Sequence, residues 1–175
     1  MMTGQRARAV PASELLLFPS LAVRAAAENV QSVVISRSGR TSEAVRAASL
    51  LSQECRIPTL GITCAADSPL EKACDRTVRL LAADEKSMVM TRSFSSMLLG
   101  LQCVASSTSP AMEFMAIVRR LADHFAGRIR TLAAQMEAFV AKHSFADYVF
   151  LGQGFFYALA REASLKVTEM LCSYS

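Results

Sequence analysis

Residues 33–51 read VVISRSGRTSEAVRAASLL, and this run joins an apolar segment to a helical one. Its first three residues are β-branched, which is typical of a strand buried in a sheet. Over 41–54 the apolar residues recur at helical spacing, while Thr41 suits the N-cap and Glu43 suits the first turn. The run therefore predicts a buried strand that ends near Ser36, a polar turn and a helix.

The rest of the first 142 residues repeats this alternation of strand and helix. Short apolar runs predict strands at 59–63 and 77–81, and longer periodic segments predict helices at 69–74, 91–106 and 112–142. Strands that are apolar throughout and alternate with helices are typical of a parallel sheet that is covered on both sides. The sequence therefore predicts an α/β fold, with a parallel sheet flanked by helices on both faces.

A further strand and helix are predicted towards the C-terminal end of the sequence. Residues 148–151 form a short apolar run, and a helix is expected over 157–171. About 50 residues of helical pattern precede this strand, which is long for a crossover connection. We therefore expect a second αβ unit to begin at residue 143.

Composition excludes several classes of protein. The chain has 175 residues, of which 52% are hydrophobic and 19% charged, so it can bury a core and is not disordered. A net charge of +4, 7% aromatic residues and no Trp give no basis for nucleic-acid binding. Residues 93–112 carry no charge, but their six Ser, one Thr and Pro110 argue against a membrane span. The five cysteines are irregularly spaced, which predicts free thiols in the cytoplasm and no metal site.

Hydroxyl-bearing residues crowd the turn between the first strand and its helix. Ser36, Ser38 and Thr41 supply the hydroxyls. Gly39 lets the backbone approach a ligand, and the start of the helix supplies N–H groups. Because ligands of open α/β sheets lie beyond the carboxyl ends of the strands, these residues predict a phosphate site, to which either Arg37 or Arg40 adds charge unless it faces solvent. The alternative is an ordinary helix start after a polar turn.

The last predicted helix also has a chemical interpretation. Glu162, Lys166 and Glu169 are four and three residues apart, so they share one stripe of the helix. A carboxylate there can move a proton between adjacent carbons of a sugar, while an ammonium stabilises the developing charge. The alternative is a surface ion pair. Gly152 and Gly154 precede the helix without completing a dinucleotide fingerprint, and they predict a tight turn or a turn near a sugar.

These motifs together resemble the sugar isomerase (SIS) family. Residues 36–41 match its S-x-S-G-x-T loop, and Glu43 continues that match into the helix. Residues 91–94 resemble its T-x-[AS]-F segment, and residues 149–169 resemble the start of a second SIS domain. The types that look most alike are the tagatose-6-phosphate ketose/aldose isomerases and the isomerase half of glucosamine-6-phosphate synthase.

The resemblance implies a flavodoxin-like three-layer fold, and a cytoplasmic homodimer that handles a sugar phosphate or an amino-sugar phosphate without a cofactor. The residues that it implies for phosphate binding are Ser36, Arg37, Ser38, Gly39 and Thr41. It implies that Glu169 is the catalytic base of an enediol isomerisation and that Lys166 is its catalytic cationic neighbour. The residues that it implies in support are Glu162, Gly152 and Gly154.

Two segments of the family pattern have no counterpart in these residues. They are the opening strand with its G-T-S loop, and an H-G-P segment that follows the first helix of the second domain. We therefore expect 1–142 to form a SIS domain lacking its first strand and loop, and 143–175 to form the first strand and helix of a second domain. In an alternative arrangement, the strand at 148–151 completes the first sheet. Two alternatives to catalysis stay open: a binding or regulatory module without turnover, and a truncated inactive fragment.

Overall fold

The computed structural model describes residues 6–23, 30–107 and 113–171. Contacts between residues divide the chain into two units, Met1–Phe114 and Met115–Ser175. Among the residues described, the first unit contains a parallel sheet with helices, and the second contains helices.

Three short strands in the order β1-β2-β3 form the sheet of the first unit. They are β1 (Ser32–Ile35), β2 (Thr59–Thr63) and β3 (Arg76–Arg79). Both pairings are parallel, and the register places Ile35 beside Ile62 and Ile62 beside Val78. Every residue of β2 is buried, as expected for a central strand with layers on both of its faces.

Helices connect these strands and cover the sheet. They are α1 (Ala12–Leu17), α2 (Pro19–Ala22), α3 (Ser42–Ser49), α4 (Pro69–Ala73) and α5 (Arg92–Ser107). A π-helical turn at Leu50–Glu54 extends α3, and a 3₁₀ turn at Leu81–Ala83 follows β3. Ser68 caps α4, because its Oγ accepts a hydrogen bond from the N–H of Glu71 at 3.3 Å.

The helices α1, α3 and α4 pack on one face of the sheet. Ala47 and Ala48 of α3 are buried, and these small side chains let the helix lie close to Val34 of β1. Leu15 of α1 and Leu70 of α4 pack on either side of α3. A fully buried leucine such as Leu70 stabilises the fold by about 1.5–3 kcal/mol. This layer fixes where α3 begins, and hence where the preceding turn lies.

The helix α5 covers the opposite face. Ile62 of β2 is fully buried there against Met97 of α5 and Ala83 of the 3₁₀ turn. Ile35 of β1 shares this face with Ile62 but is 43% exposed, so this face is less completely covered at β1 than at β2. The predicted α/β fold, a parallel sheet with helices on both faces, is confirmed.

Helices make up the regular structure described for the second unit. They are α6 (Glu113–Ala126), which begins at the boundary of the unit, α7 (Ile129–Lys142) and α8 (Phe155–Leu171). The helix predicted over 112–142 breaks at Gly127 and Arg128, where glycine lowers the helix propensity. No residue described between 115 and 171 is buried. None of the helices in the described ranges is both long enough and apolar enough to cross a membrane.

The prediction of a strand at 148–151 is wrong. Residues 143–153 form neither helix nor strand, and Val149 and Leu151 are 80% and 90% exposed. A strand needs a neighbouring strand to bond its N–H and C=O groups, and the sheet formed by the described residues contains only β1, β2 and β3. The assignment of 1–142 and 143–175 to two SIS domains stays a prediction, and residues 172–175 lie outside the described part of the chain.

Candidate functional site

The turn at residues 36–41, called here the hydroxyl turn, lies at the carboxyl end of β1 and leads directly into α3. Ser36 N–H donates to the carbonyl of Ile62 at 3.0 Å, which continues the ladder between β1 and β2 by one bond. Gly39 N–H then donates back to the carbonyl of Ser36 at 3.1 Å and closes the turn. The sequence placed this turn correctly between a strand and a helix.

Gly39 is the residue that allows this turn to close. Its φ is 60°, in the left-handed region that favours glycine. A Cβ atom at this position would lie 2.3 Å from Oγ of Ser68 and 2.5 Å from its Cβ. Since Ser68 is fully buried, the backbone of the turn rests directly on the start of α4.

Backbone and side-chain groups at the end of β2 and in α4 hold the turn in place. The carbonyl of Arg37 accepts hydrogen bonds from the N–H of Cys64 at 2.9 Å and from Oγ1 of Thr63 at 3.0 Å. The carbonyl of Gly39 accepts from the N–H of Leu70 at 2.9 Å. With its carbonyls turned towards the sheet, the turn is preorganised before any ligand arrives.

The hydroxyl groups of the turn are placed for an anion. Oγ of Ser36 and Oγ1 of Thr41 lie 3.0 Å apart, and either can donate to the other. Oγ of Ser38 accepts from the N–H of Arg40 at 3.2 Å, which leaves its own proton for another acceptor. Thr41 is the N-cap of α3, but its side chain forms no capping bond within the described residues. The first-turn N–H groups of α3 thus receive no capping bond from Thr41 at the positive end of the helix dipole.

Arg37 belongs to the hydroxyl turn, but its side chain contacts a second segment. Its Nη1 donates to the carbonyl of Ser87 at 2.5 Å. Ser87 lies between the 3₁₀ turn and α5, in a segment made of residues 84–91 and called here the anchored segment. Arg37 is half-buried, whereas Arg40 is exposed, so only Arg37 has a fixed place beside the turn.

Glu85 ties the anchored segment to the start of α5. Its carboxylate accepts hydrogen bonds from N–H and Oγ1 of Thr91, from N–H of Arg92, and from N–H and Oγ of Ser93. The bond from Ser93 Oγ is 2.5 Å long. These bonds, that of the Ser93 hydroxyl first, lower the pKa of Glu85 to about 2.

Sequence reasoning missed Glu85. A capping carboxylate is normally sought within three residues of the helix start, as in the capping box, whereas Glu85 stands seven residues before Arg92. The available signal was the Thr91-Arg92-Ser93 motif, which supplies both hydroxyl donors and all three N–H donors to one acceptor. A search for an unassigned acidic residue upstream of that motif would have found Glu85.

The three charged residues of α8 form one group, as their spacing predicts. Nζ of Lys166 lies 2.5 Å from Oε2 of Glu169 and 3.4 Å from Oε1 of Glu162. Burial disfavours the ammonium, but the hydrogen bond to Glu169 and the charge of Glu162 outweigh it and raise the pKa of Lys166. Although Oε1 of Glu162 is within ion-pair distance of Lys166, it is buried and accepts no well-aligned hydrogen bond from the described residues.

The two glycines before α8 form a tight turn. Gly154 has a φ of 60°, and its carbonyl accepts from the N–H of Tyr157 at 3.2 Å. A Cβ on Gly152 would lie 2.3 Å from the carbonyl oxygen of Phe156. The hydroxyl turn lies in the first unit, whereas these glycines and the charged group of α8 lie in the second.

A cavity of about 390 Å³ lies at the other end of the sheet, beside the amino ends of the strands. It is lined by Val30, Gln31, Pro58, Thr59, Leu60, Asp75 and Arg76. Its carboxylate already has partners, because Asp75 accepts from Thr59 N–H at 2.7 Å and from Oγ of Ser52 at 3.1 Å. We therefore place the candidate site at the hydroxyl turn, which offers donors for a ligand, and not in this cavity. Among the residues described, no group of three His, Cys, Asp or Glu side chains is placed to hold a metal ion.

Comparison with known proteins links the first unit to a family. Residues 23–107 match the SIS domain, and this range contains the hydroxyl turn and the anchored segment. A search of curated proteins finds no match to the chain. The chain is similar to the structure "The Vibrio vulnificus NanR protein complexed with ManNAc-6P", with 17% identity and a TM-score of 0.36. The similarity covers 77% of this chain and 44% of the NanR chain, so the chain spans less than half the length of that protein.

Proposed function

We propose that the chain binds a phosphorylated sugar through the hydroxyl turn, as a SIS-type protein. The observation that carries this proposal is the preorganised turn at 36–41, which lies inside the range that matches the SIS domain. Its hydroxyls and the N–H groups that open α3 converge at the carboxyl end of β1. That combination suits a phosphate ester, whose oxygens accept several hydrogen bonds at once.

The roles follow from the contacts of each residue. Ser36, Ser38 and Thr41 donate their hydroxyl protons to phosphate oxygens. The carbonyl groups of Arg37 and Gly39 are already bonded to the sheet and to α4, so they do not face the anion. The guanidinium of Arg37 supplies the positive charge that a dianionic ester needs.

We further propose that the ligand is a ketose, aldose or amino-sugar phosphate that the chain isomerises without a cofactor. Glu169 takes a proton from the carbon next to the carbonyl, and the carbonyl oxygen gains a proton, which gives an enediol. The protonated Glu169 then returns a proton to the former carbonyl carbon, and the other enediol oxygen releases its proton and becomes the new carbonyl oxygen, so no oxidant or reductant is needed. Lys166 stabilises the charge on the oxygen, while Glu162 holds Lys166 in place. Gly152 and Gly154 shape the turn that precedes these residues.

A binding or regulatory module without turnover is the second candidate. It is favoured by the short contact between Lys166 and Glu169, because a carboxylate oxygen that accepts a hydrogen bond from an ammonium is not free to take a proton from a sugar. Under the first candidate, the sugar hydroxyls draw Lys166 away from Glu169 before the proton is taken. Both candidates share the phosphate site, and for both we propose a cytoplasmic homodimer, as the family resemblance implies.

Thermal denaturation with added ligand tests the binding step. Fructose 6-phosphate, tagatose 6-phosphate and glucosamine 6-phosphate are each compared with the unphosphorylated sugar. A ligand present at 100 times its Kd should add about 2.7 kcal/mol of stability. Ser38→Ala should reduce that gain, whereas the control Ser107→Ala, at an exposed site in α5, should not. If no sugar phosphate stabilises the wild-type chain, the proposal is refuted.

Proton exchange separates the two candidates. In D₂O, an isomerase introduces deuterium at carbon 1 or 2 of the bound sugar phosphate, which NMR detects. Glu169→Gln should abolish this exchange and preserve binding, while Glu137→Gln, at an exposed site in α7, serves as the control. Binding without exchange in the wild-type chain would favour the regulatory module.

A further inference from the structure

A side-chain hydrogen bond from Arg37 joins the hydroxyl turn to the anchored segment. Nη1 of Arg37 donates to the carbonyl of Ser87 at 2.5 Å, so the backbone of the anchored segment decides where the guanidinium lies. An arginine carries five N–H donors in a rigid plane, so the bond to the Ser87 carbonyl limits where the other four can point. The position of Ser87 therefore controls the charge beside the hydroxyl turn.

The position of Ser87 in turn depends on Glu85. The Glu85 carboxylate accepts hydrogen bonds from five donor groups of Thr91, Arg92 and Ser93. These bonds close residues 85–93 into a hydrogen-bonded ring. Two further bonds stiffen the segment, since Arg92 donates to the carbonyl of Asp84 and Val89 N–H donates to Oγ of Ser87 at 3.1 Å. Ser93 is fully buried at the start of α5, so the ring is fastened to the packed part of the unit.

We propose that Glu85 is a positioning residue of the phosphate site, acting through Ser87 and Arg37. By holding the anchored segment closed, it keeps the Ser87 carbonyl where it receives Arg37, and so keeps the guanidinium beside the hydroxyl turn. This inference rests on the proposed phosphate-binding function of that turn. Glu85 itself does not contact the ligand, because its carboxylate is directed to the start of α5.

The chemistry of Glu85 explains why a neutral substitute fails at this position. All five groups that face the carboxylate are donors, and an ionised carboxylate is an acceptor at both of its oxygens. The amide of Gln brings an NH₂ group into the same cluster, where it meets other donors. Glu85→Gln should therefore open the ring and release Ser87, although the side chain keeps its size.

A double-mutant cycle tests the proposal. Affinity for fructose 6-phosphate is measured by calorimetry for the wild type, Arg37→Ala, Glu85→Gln and the double variant. Loss of a charge-assisted contact predicts that Arg37→Ala weakens binding by about tenfold or more. Glu85→Gln should weaken binding by about fivefold in the wild-type background and have little effect once Arg37 is absent. Glu113→Gln, at an exposed acidic residue in the first turn of α6, is the matched control and should bind as the wild type does.

The possible outcomes are distinct. If the wild type fails to bind any sugar phosphate, the proposed function is wrong, and this inference falls with it. If the wild type binds but Glu85→Gln weakens binding equally with and without Arg37, or not at all, the positioning role alone is refuted. Should Glu85→Gln not fold, Thr91→Val removes one donor to the carboxylate at nearly constant volume. It should then show the same dependence on Arg37 with a smaller loss, and an equal loss in both backgrounds refutes the role.

Discussion

The substitution Gly39→Ala tests whether the hydroxyl turn has the shape on which the phosphate site depends. Gly39 has a φ of 60°, and an alanine in that left-handed region costs about 1–2 kcal/mol. The new Cβ would also lie 2.3 Å from Oγ and 2.5 Å from Cβ of Ser68. Because Ser68 is fully buried, it has little room to move, and overpacking of this kind costs about 1–3 kcal/mol.

The two costs together predict a loss of about 2–5 kcal/mol in the free energy of unfolding of the first unit. For a unit of this size, such a loss lowers Tm by about 10 °C or more. Circular dichroism measures the change on heating. Gly127→Ala is the control, because nothing lies within 4 Å of its Cβ position, and its Tm should stay near that of the wild type.

Second substitutions at Ser68 separate the clash from the backbone strain. Ser68→Gly removes the two atoms nearest to the new Cβ and leaves only Oγ1 of Thr63 at 3.0 Å, and glycine replaces an N-cap serine at a cost of only a few tenths of a kcal/mol. In the Gly39→Ala background it should therefore restore part of the lost stability. Ser68→Ala keeps the Cβ atom that would lie 2.5 Å away, so it should restore much less. A Gly39→Ala variant as stable as the wild type, or equal effects of the two Ser68 substitutions, would refute the geometry.

Three further perturbations follow from single contacts. The lowered pKa of Glu85 means that its ionised form stabilises the fold fully above about pH 4.5, and that this stability is lost as the pH falls towards 2. Glu85→Gln should flatten that part of the pH dependence, as measured by urea denaturation at several pH values. Asp75→Ala leaves the N–H of buried Thr59 without its acceptor and should cost about 1–3 kcal/mol in the same assay. Thr41→Val removes the hydroxyl that hydrogen-bonds Ser36, so it should weaken sugar-phosphate binding by about tenfold and cost only about 0.5–1.5 kcal/mol of stability. Equal Tm losses for Thr41→Val and Gly39→Ala would contradict the last expectation.

The strand that the sequence predicted best is the one whose residues are all buried. The strand at 59–63 was predicted with its observed bounds, because all of its residues are buried and its apolar pattern has no competing signal. β1 ends at Ile35 and not at Ser36, since the Ser36 carbonyl turns to accept the N–H of Gly39. β3 spans Arg76–Arg79, earlier than the predicted 77–81, because its first residues pair with β2 despite their charge.

The errors arise where structure depends on groups that are distant in sequence. The apolar run at 148–151 has the composition of a strand, but composition cannot supply the neighbouring strand that would bond it. The link from Arg37 to Ser87 spans 50 residues, and the ring that Glu85 closes spans eight. The helical spacing of a sequence indicates contacts between residues three or four apart, so it identified the charged group on α8 but could not identify either of these two links.

The proposed binding step and the proposed isomerisation make different demands on the residues of this chain. The backbone of the hydroxyl turn needs no rearrangement before a phosphate arrives, because its carbonyls are already bonded to the sheet and to α4, and only the hydrogen bond between Ser36 and Thr41 has to be exchanged for bonds to the phosphate. On α8, by contrast, Lys166 and Glu169 already form an ion pair with a distance of 2.5 Å between Nζ and Oε2. In the proposed isomerisation, the Glu169 oxygen that Lys166 contacts can take a sugar proton only if a ligand separates this pair, and part of the binding energy must supply that separation. A sugar that lacks the phosphate forfeits this energy, so we expect it to lose the rate of proton exchange as well as affinity.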